Sequence, residues 1–404
     1  MTQDQGERVD DTGAPVSLRE IAREWGRIGI TGFGGPPAHI ALLRRLCVEQ
    51  RGWIAASEFE DAIAACNLLP GPASTQLAIW CSWRLRARRG AVLAGVCFIA
   101  PGLVVILALA ALFLAAHPPT WVLGAAAGAG AAVPAVAVHA AWGLTPASWK
   151  RMRKPARPGV GGGFARTRWI AYTLAGGIAA ATIGPWLVLV LLGCGLVEIT
   201  VRRALPAGGA RAALPLAVPS TIAVGGLGGL GALAWTALKV GALSYGGGFV
   251  IIPLMQHDAV TAYHWMTGPQ FLDAVALGQV TPGPVVQTVA VVGYAAGGIG
   301  GGLLAAALAF APSFAFVLLG APHFDQLRRN RTIQAFLTGA GPAVIGAIAG
   351  SAIPLTRALP HDWQYLLLAA AAVWLLALRR GIVSALLLAA ACGIIAALAG
   401  AAVH

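Results

Sequence analysis

Long apolar runs broken by short polar or basic clusters dominate the chain. Runs at 91–116, 121–142, 333–355 and 382–403 are each long enough for a helix that crosses a hydrocarbon core roughly 30 Å thick. Other apolar stretches carry residues that do not suit a helix interior. LLPGPAST at 68–75 returns as VTPGPVVQ at 280–287, with Pro-Gly-Pro inside each. The eleven residues 59–69 make only about 16 Å of helix at roughly 1.5 Å per residue. Neither that segment nor 72–83 can span alone. Pro-Gly-Pro is therefore expected near mid-membrane, as the tip of a re-entrant hairpin or as a break in one crossing helix.

The two Pro-Gly-Pro segments belong to a duplication. Residues 29–72 align without a gap to 241–284, at an offset of 212. Gly29, Gly34, Gly35, Ile40, Leu42, Trp53, Phe59, Asp61, Pro70, Gly71 and Pro72 all meet identical residues in the second copy. One deleted residue later, FIAPG at 98–102 meets AFAPS at 309–313. The pattern predicts an all-α polytopic membrane protein. It divides into a cytoplasmic tail at 1–17, a first repeat at 18–143, a basic linker with connecting transmembrane segments at 144–231, a second repeat at 232–355, and C-terminal transmembrane segments at 356–404.

Charge sets the orientation. Arg84, Arg86, Arg88, Arg89 and the cluster around Lys150–Lys154 lie where the second copy is neutral, whereas Arg328, Arg329 and Arg331 lie where the first copy has only AHPPT. Under the positive-inside rule, the two copies insert in opposite senses. The expected fold is a pair of inverted-topology repeats whose broken or re-entrant helices meet near the bilayer midplane, as in many secondary transporters. One segment at 214–230 has to cross so that the second copy starts on the opposite side.

Composition narrows the function. The chain is 58% hydrophobic and 11% charged, and its net charge of +13 sits in short loops, which fits a membrane protein and not a nucleic-acid binder. The six cysteines form no CxxC pair and no P-loop signature is present. No cofactor or metal is implied, and the chain does not read as an enzyme.

Candidate chemistry gathers at the breaks. Pro70 ends one helix, Gly71 permits a turn, and Pro72 suits the first position of the next; Pro282, Gly283 and Pro284 repeat this. Each new helix aims unpaired N–H groups into the interior, so two such N-termini converging form an anion site without a lysine. Gly34-Gly35 and Gly246-Gly247 give a second broken point per copy. Ser74, Thr75, Gln76, Gln287 and Thr288 offer neutral donors beside the breaks. Asp61 and its equivalent Asp273 are either proton carriers or structural, as is His39 near the glycine turn. Glu58 and Glu60 have no acidic counterpart and read as solvated.

With GFGGPPAHIALL, EFEDAIAACNLLPGPASTQLA and FIAPG in the first half, and YGGGFVIIPLM, QFLDAVALGQVTPGP and APSF in the second, the chain resembles the chromate ion transporter family in its long, two-domain form. Cys66 and Asn67 stand where that pattern has Cys and Gln. The resemblance implies efflux of chromate from the cytoplasm and resistance to it, with sulfate as a competitor. It places family residues at Gly34, Gly35, Pro36 and His39, at Pro70 to Pro72 with Ser74 to Gln76, and at Gly246 to Gly248 with Pro282 to Pro284. The expected location is the inner (plasma) membrane, with the lipid bilayer as partner, a cytoplasmic N-terminus, and a homodimer among the assembly states left open. The rivals are import or exchange of sulfate or another tetrahedral oxyanion, and a membrane-embedded chromate reductase.

Overall fold

The computed structural model describes residues 16–67, 69, 71–153, 164–182, 187–204, 229–244, 251–321 and 330–403. The tail up to residue 15, Pro70, Gly246, Gly247, Arg328, Arg329 and most of the 214–230 segment lie outside these residues. The described chain is helical throughout, with no strand among the described residues.

Each half opens with two helical hairpins. In the first half, α1 (Leu18–Thr31) and α2 (Pro36–Arg44), the latter extended by a π-helical turn at Arg45–Gln50, fold back at residues 32–35. Pro36 at the head of α2 suits a helix start, and Gly34 (φ 96°) and Gly35 (φ 75°) adopt a backbone that favours glycine. The two arms meet again at their open end, where Arg51 pairs with Glu20 at 3.0 Å.

The second hairpin comprises α3 (Ala56–Cys66) and the first limb of α4 (Ala73–Phe113). Arg84 Nε lies 2.5 Å from Glu58 Oε1, so the start of α3 stands beside the end of that limb. The arms are antiparallel and Gly71 (φ 116°) sits at their tip. The Pro-Gly-Pro segment is therefore a hairpin turn and not a break in one crossing helix.

At Arg86 and Ala87 the α4 backbone leaves the helical region and the chain reverses. Gly90 packs against Ser82 across this turn. The second limb then runs from 88 to 113, about 26 residues and about 39 Å, enough to cross a bilayer. α5 (Thr120–Arg153) returns. Its helix continues ten residues past the repeat boundary expected at 143, and Met152 near its end is buried.

α6 (Ala165–Thr182) and α7 (Leu187–Ala204) lie in the stretch expected to hold connecting transmembrane segments; residues 183–186 lie outside the described residues. The second half repeats the plan. It has α8 (Gly229–Leu243) and α9 (Ile251–Gln256), then α10 (Gly268–Val280) and α11 (Thr288–Gly320), then α12 (Arg331–Arg357). Lys239 of α8 reaches Asp258, in the π-helical turn after α9, at 2.5 Å. α11 reverses at Gly297 and Gly298 with nearly the dihedrals of Arg86 and Ala87. Here too small residues, Gly293 and Gly301, make the close contact across the turn.

α13 (Asp362–Ala372) and α14 (Ile382–Leu398) close the chain. The apolar run expected to span to 403 thus yields a helix that stops at Leu398, before Gly400 at φ 89°.

The halves interlock. Gly95 on the second limb of α4 lies against Phe314 of α11, and Leu107 lies against Gly302. Advancing along one helix retreats along the other. Gly124 and Gly128 of α5 pack against Gly393 of α14, and Gly176 of α6 against Ala343 of α12. Small residues at such crossings let helices approach closely where burial of apolar surface drives nothing.

Candidate functional site

The hairpin tips of one half touch those of the other. The Gly71 N–H donates to the Ser244 carbonyl at 2.9 Å, and the Gly283 N–H donates to the Gly32 carbonyl at 3.0 Å. Gly71 and Gly283 are equivalent in the duplication, as are Gly32 and Ser244. The two bonds are one contact made twice, the reciprocity that a two-fold relation produces. Each Pro-Gly-Pro turn is thereby fixed to the first hairpin of the other half. Gly283 (φ 97°), like Gly71, occupies a backbone that L side chains rarely adopt.

His39 secures the first tip. Its Nε2 lies 2.9 Å from the Gly32 carbonyl and its Nδ1 lies 3.3 Å from Ser74 Oγ. A carbonyl only accepts, so Nε2 carries the hydrogen and Nδ1 accepts from the Ser74 hydroxyl. The ring stands edge-on to Phe98 at 5.0 Å. His39 is fully buried, and the same carbonyl receives the Gly283 N–H, so this side chain joins both halves.

Gln287 makes a second tie. Its Nε2 donates to the Ile99 carbonyl at 2.8 Å. Its Oε1 finds no partner among the described residues. Gly102, next to it, has no room for a side chain, since a Cβ there would overlap the Pro282 carbonyl and come within 2.5 Å of that Oε1.

Several buried polar atoms near the tips share this condition. Thr75 Oγ1, Ser313 Oγ, Ser244 Oγ, Thr281 Oγ1 and Gln279 Nε2 have no hydrogen-bond partner among the described residues. Ser313 Oγ and Gln76 Nε2 both stand where a Cβ on Gly71 would be, at 3.0 and 2.5 Å. Unsatisfied buried polar groups are scarce in folded proteins, and a cluster of them calls for an explanation. Hydroxyls and amides gathered at two helix starts can donate to an oxyanion without bringing a fixed charge.

The structure separates the expected site residues. Thr75, Gln76 and Gln287 are buried beside the tips. Gly34 and Gly35 form the adjoining turn, with Val285 3.6 Å from a Cβ built on Gly35. Pro72 and Pro284 head their helical segments, and the Pro282 carbonyl faces Gly102. Ser74 and Thr288 are buried, but each hydroxyl is engaged: Ser74 with His39, Thr288 with the Val285 carbonyl at 2.8 Å. Pro70, Gly246 and Gly247 lie outside the described residues.

Asp61 is exposed and Asp273 is buried, so the duplicated aspartates occupy different settings. Glu60 is exposed, as expected, and pairs with Arg44 at the surface, while Glu58 is half-buried and pairs with Arg84. Ser244, Ser313 and Gly102 were not among the expected site residues. The alignment of FIAPG with AFAPS marked Gly102 and Ser313 as equivalent, but only folding carries them to the other half's turn.

The comparisons with known proteins agree with this architecture. The chromate transporter family model matches residues 19–199 and 231–397. The chain is 33% identical over 381 residues to a chromate transport protein of Cupriavidus metallidurans, covering 90% of this chain and 89% of that one. It is 31% identical to a chromate transport protein of Pseudomonas aeruginosa, over 85% and 82% of the two chains. It is 29% identical to a probable chromate transport protein of Synechococcus elongatus, over 86% of each. No solved structure matches. A duplicated, membrane-spanning helical chain whose two halves both match one family model belongs to the chromate transporter family.

Proposed function

We propose that this chain is a secondary transporter that exports chromate from the cytoplasm and confers resistance to it. The observation that carries the reading is the reciprocal pair of bonds from Gly71 to Ser244 and from Gly283 to Gly32, with the unpartnered Thr75 and Ser313 hydroxyls and the Gln279 amide nitrogen beside it. Chromate is a tetrahedral dianion, and moving it bare into hydrocarbon costs tens of kcal/mol. Helix-start N–H groups with hydroxyl and amide donors offset that cost through several charge-assisted hydrogen bonds.

The halves are inserted in opposite senses, and alternating exposure of the tips moves the ion. The antiparallel packing of the equivalent second limbs of α4 and α11 supports inversion. So does the position of residues 113–116 and Pro118, which share a cavity with Thr267 and Gln270 at the start of α10. The second limb of α4 thus leads from the open end of one hairpin toward that of its counterpart. The arginines at 84–89 support a cytoplasmic position for the first open end.

Direction follows from charge. Moving two negative charges out of a cell that is 100 mV negative inside releases about 4.6 kcal/mol, at about 2.3 kcal/mol per charge. At about 1.4 kcal/mol per decade, the potential alone sustains a gradient of more than about a thousandfold. Sulfate, of similar shape and charge, competes. Chromate uptake into inverted vesicles from cells with and without the protein tests the reading. An interior-positive potential should drive uptake that sulfate inhibits. Uptake indifferent to the protein, or chromium recovered in a reduced state, would contradict it.

A further inference from the structure

A cavity of about 480 Å³ opens where α4 passes into α5 and α10 begins. Asp273 is the one ionisable side chain among the described residues that line it. Asp273 is 9% exposed, and no hydrogen bond or ion pair to its side chain is found among the described residues. A Cβ on Gly130 of α5 would come within 2.5 Å of its Oδ1, so α5 accommodates the carboxyl group by carrying glycine at that point.

No titratable group from the elements packed on α10 lines this cavity: not His139 of α5, Cys97 of α4, Tyr294 of α11, Cys392 of α14, nor His257 and Asp258 after α9. Asp258 is instead bonded to Lys239 and Thr236. The arginines of α4 and α5 cluster at 84–89 and 151–153, far along those helices from Phe113 and Leu123 at the cavity. The duplicated partner Asp61 is exposed on α3 and takes part in other interactions.

Burying a carboxylate with neither a cation nor a donor beside it is costly, whereas the acid form is only a small dipole. A proton is thus the ligand this group takes and releases. Asp273 is nine residues before Pro282 on the same hairpin arm, about 13 Å from the tip at about 1.5 Å per residue.

We propose that Asp273 is a proton-binding site of the transport cycle, loaded through this cavity from the side opposite the arginine-rich turn and emptied as the oxyanion passes the hairpin tips. Protonation removes a negative charge from the path of a dianion leaving toward that face. The inference rests on the transport reading above and adds proton counterflow to it.

The test uses the purified full-length protein in chromate-loaded liposomes, with the potential clamped at zero and a pH dye inside. The wild type should move protons inward as chromate leaves, and its efflux should respond to a pH step. Asp273→Asn should lose both responses, and Asp273→Glu should keep both with a displaced pH dependence. An undiminished proton signal in Asp273→Asn, or wild-type efflux that follows a sodium gradient and ignores pH, would overturn the proposal.

Carbodiimide modification of the wild-type protein gives a readout that needs no variant. An adduct at residue 273 that forms more slowly at alkaline pH is expected, and its absence overturns the proposal. If the wild type moves no chromate even under an applied potential, the transport reading is what fails. The carbodiimide result still reports on Asp273 separately.

Discussion

Gly71 and Gly283 sit at φ 116° and 97°, and each N–H is spent on the other half of the molecule. A side chain at either position strains the turn by about 1–3 kcal/mol and displaces Gln76 or Gln287, whose amides lie 2.5 and 3.1 Å from the built Cβ. Gly283→Ala should therefore lower chromate transport by roughly tenfold or more, the loss expected from one charge-assisted hydrogen bond, with membrane abundance retained. Vesicle flux normalised to protein level measures this, and wild-type flux in the variant would remove Gly283 from the site.

Ala87 carries the opposite lesson. It holds φ 44° in the reversal of α4, where the second half has Gly298 at φ 62°. Ala87→Gly should relieve about 1 kcal/mol of backbone strain and raise the thermal midpoint of the detergent-solubilised protein. An unchanged or lower midpoint would contradict the strain. Pro-Gly-Pro and the glycine pairs were legible in the sequence because their backbone preferences are local. Ser244 and Ser313 were not, since their roles depend on contacts across about 170–240 residues of chain. Nor could the aspartates be told apart: identical in the duplication, they are distinguished by their burial and their interactions.

Among the elements, arm length decides the architecture. α3 has 11 residues and α1 has 14, about 16 and 21 Å of helix, and neither crosses roughly 30 Å of hydrocarbon. Hydrophobic length alone left a hairpin and a broken span equally open. The ion pair between Glu58 and Arg84, whose residues flank the turn at similar distances, favours the hairpin. Cysteines placed at 58 and 84 in a background without the native cysteines should be joined by a short bifunctional thiol reagent, which spans the reach of the two side chains that meet there. In one crossing helix merely broken at Pro-Gly-Pro, the two positions would stand more than about 30 Å apart, and no cross-link would form. The ion pair itself is partly exposed, 31% and 25%, and holds the arms together by no more than about 1 kcal/mol. Helix ends were less legible than helix existence. α5 runs to Arg153 through a segment whose basic residues read as loop, because one side of that last stretch, at Met152, is buried.

At the scale of the whole molecule, each half completes the other. α6 and α7 follow the first half yet pack on α12 of the second, and α14 follows the second half yet packs on α5 of the first. The family model matches extend through these helix pairs in both copies. They carry no Pro-Gly-Pro, which is why the sequence marked the first pair only as a connection and the second only as a C-terminal segment. The duplication itself was plain from the register of its glycines and prolines. What the register could not supply is that the glycine of each Pro-Gly-Pro turn donates its N–H to the other half. That arrangement brings the two tips together, and the transport reading depends on it.

The most direct test is an anomalous difference map, collected near the chromium absorption edge, from crystals of the protein grown with chromate. The account predicts a peak between the two hairpin tips, within hydrogen-bonding distance of Thr75 and Gln287. A map whose strongest peak lies instead in the cavity that Arg23, Arg27 and Arg51 line on the first hairpin, with nothing between Gly71 and Gly283, would contradict it.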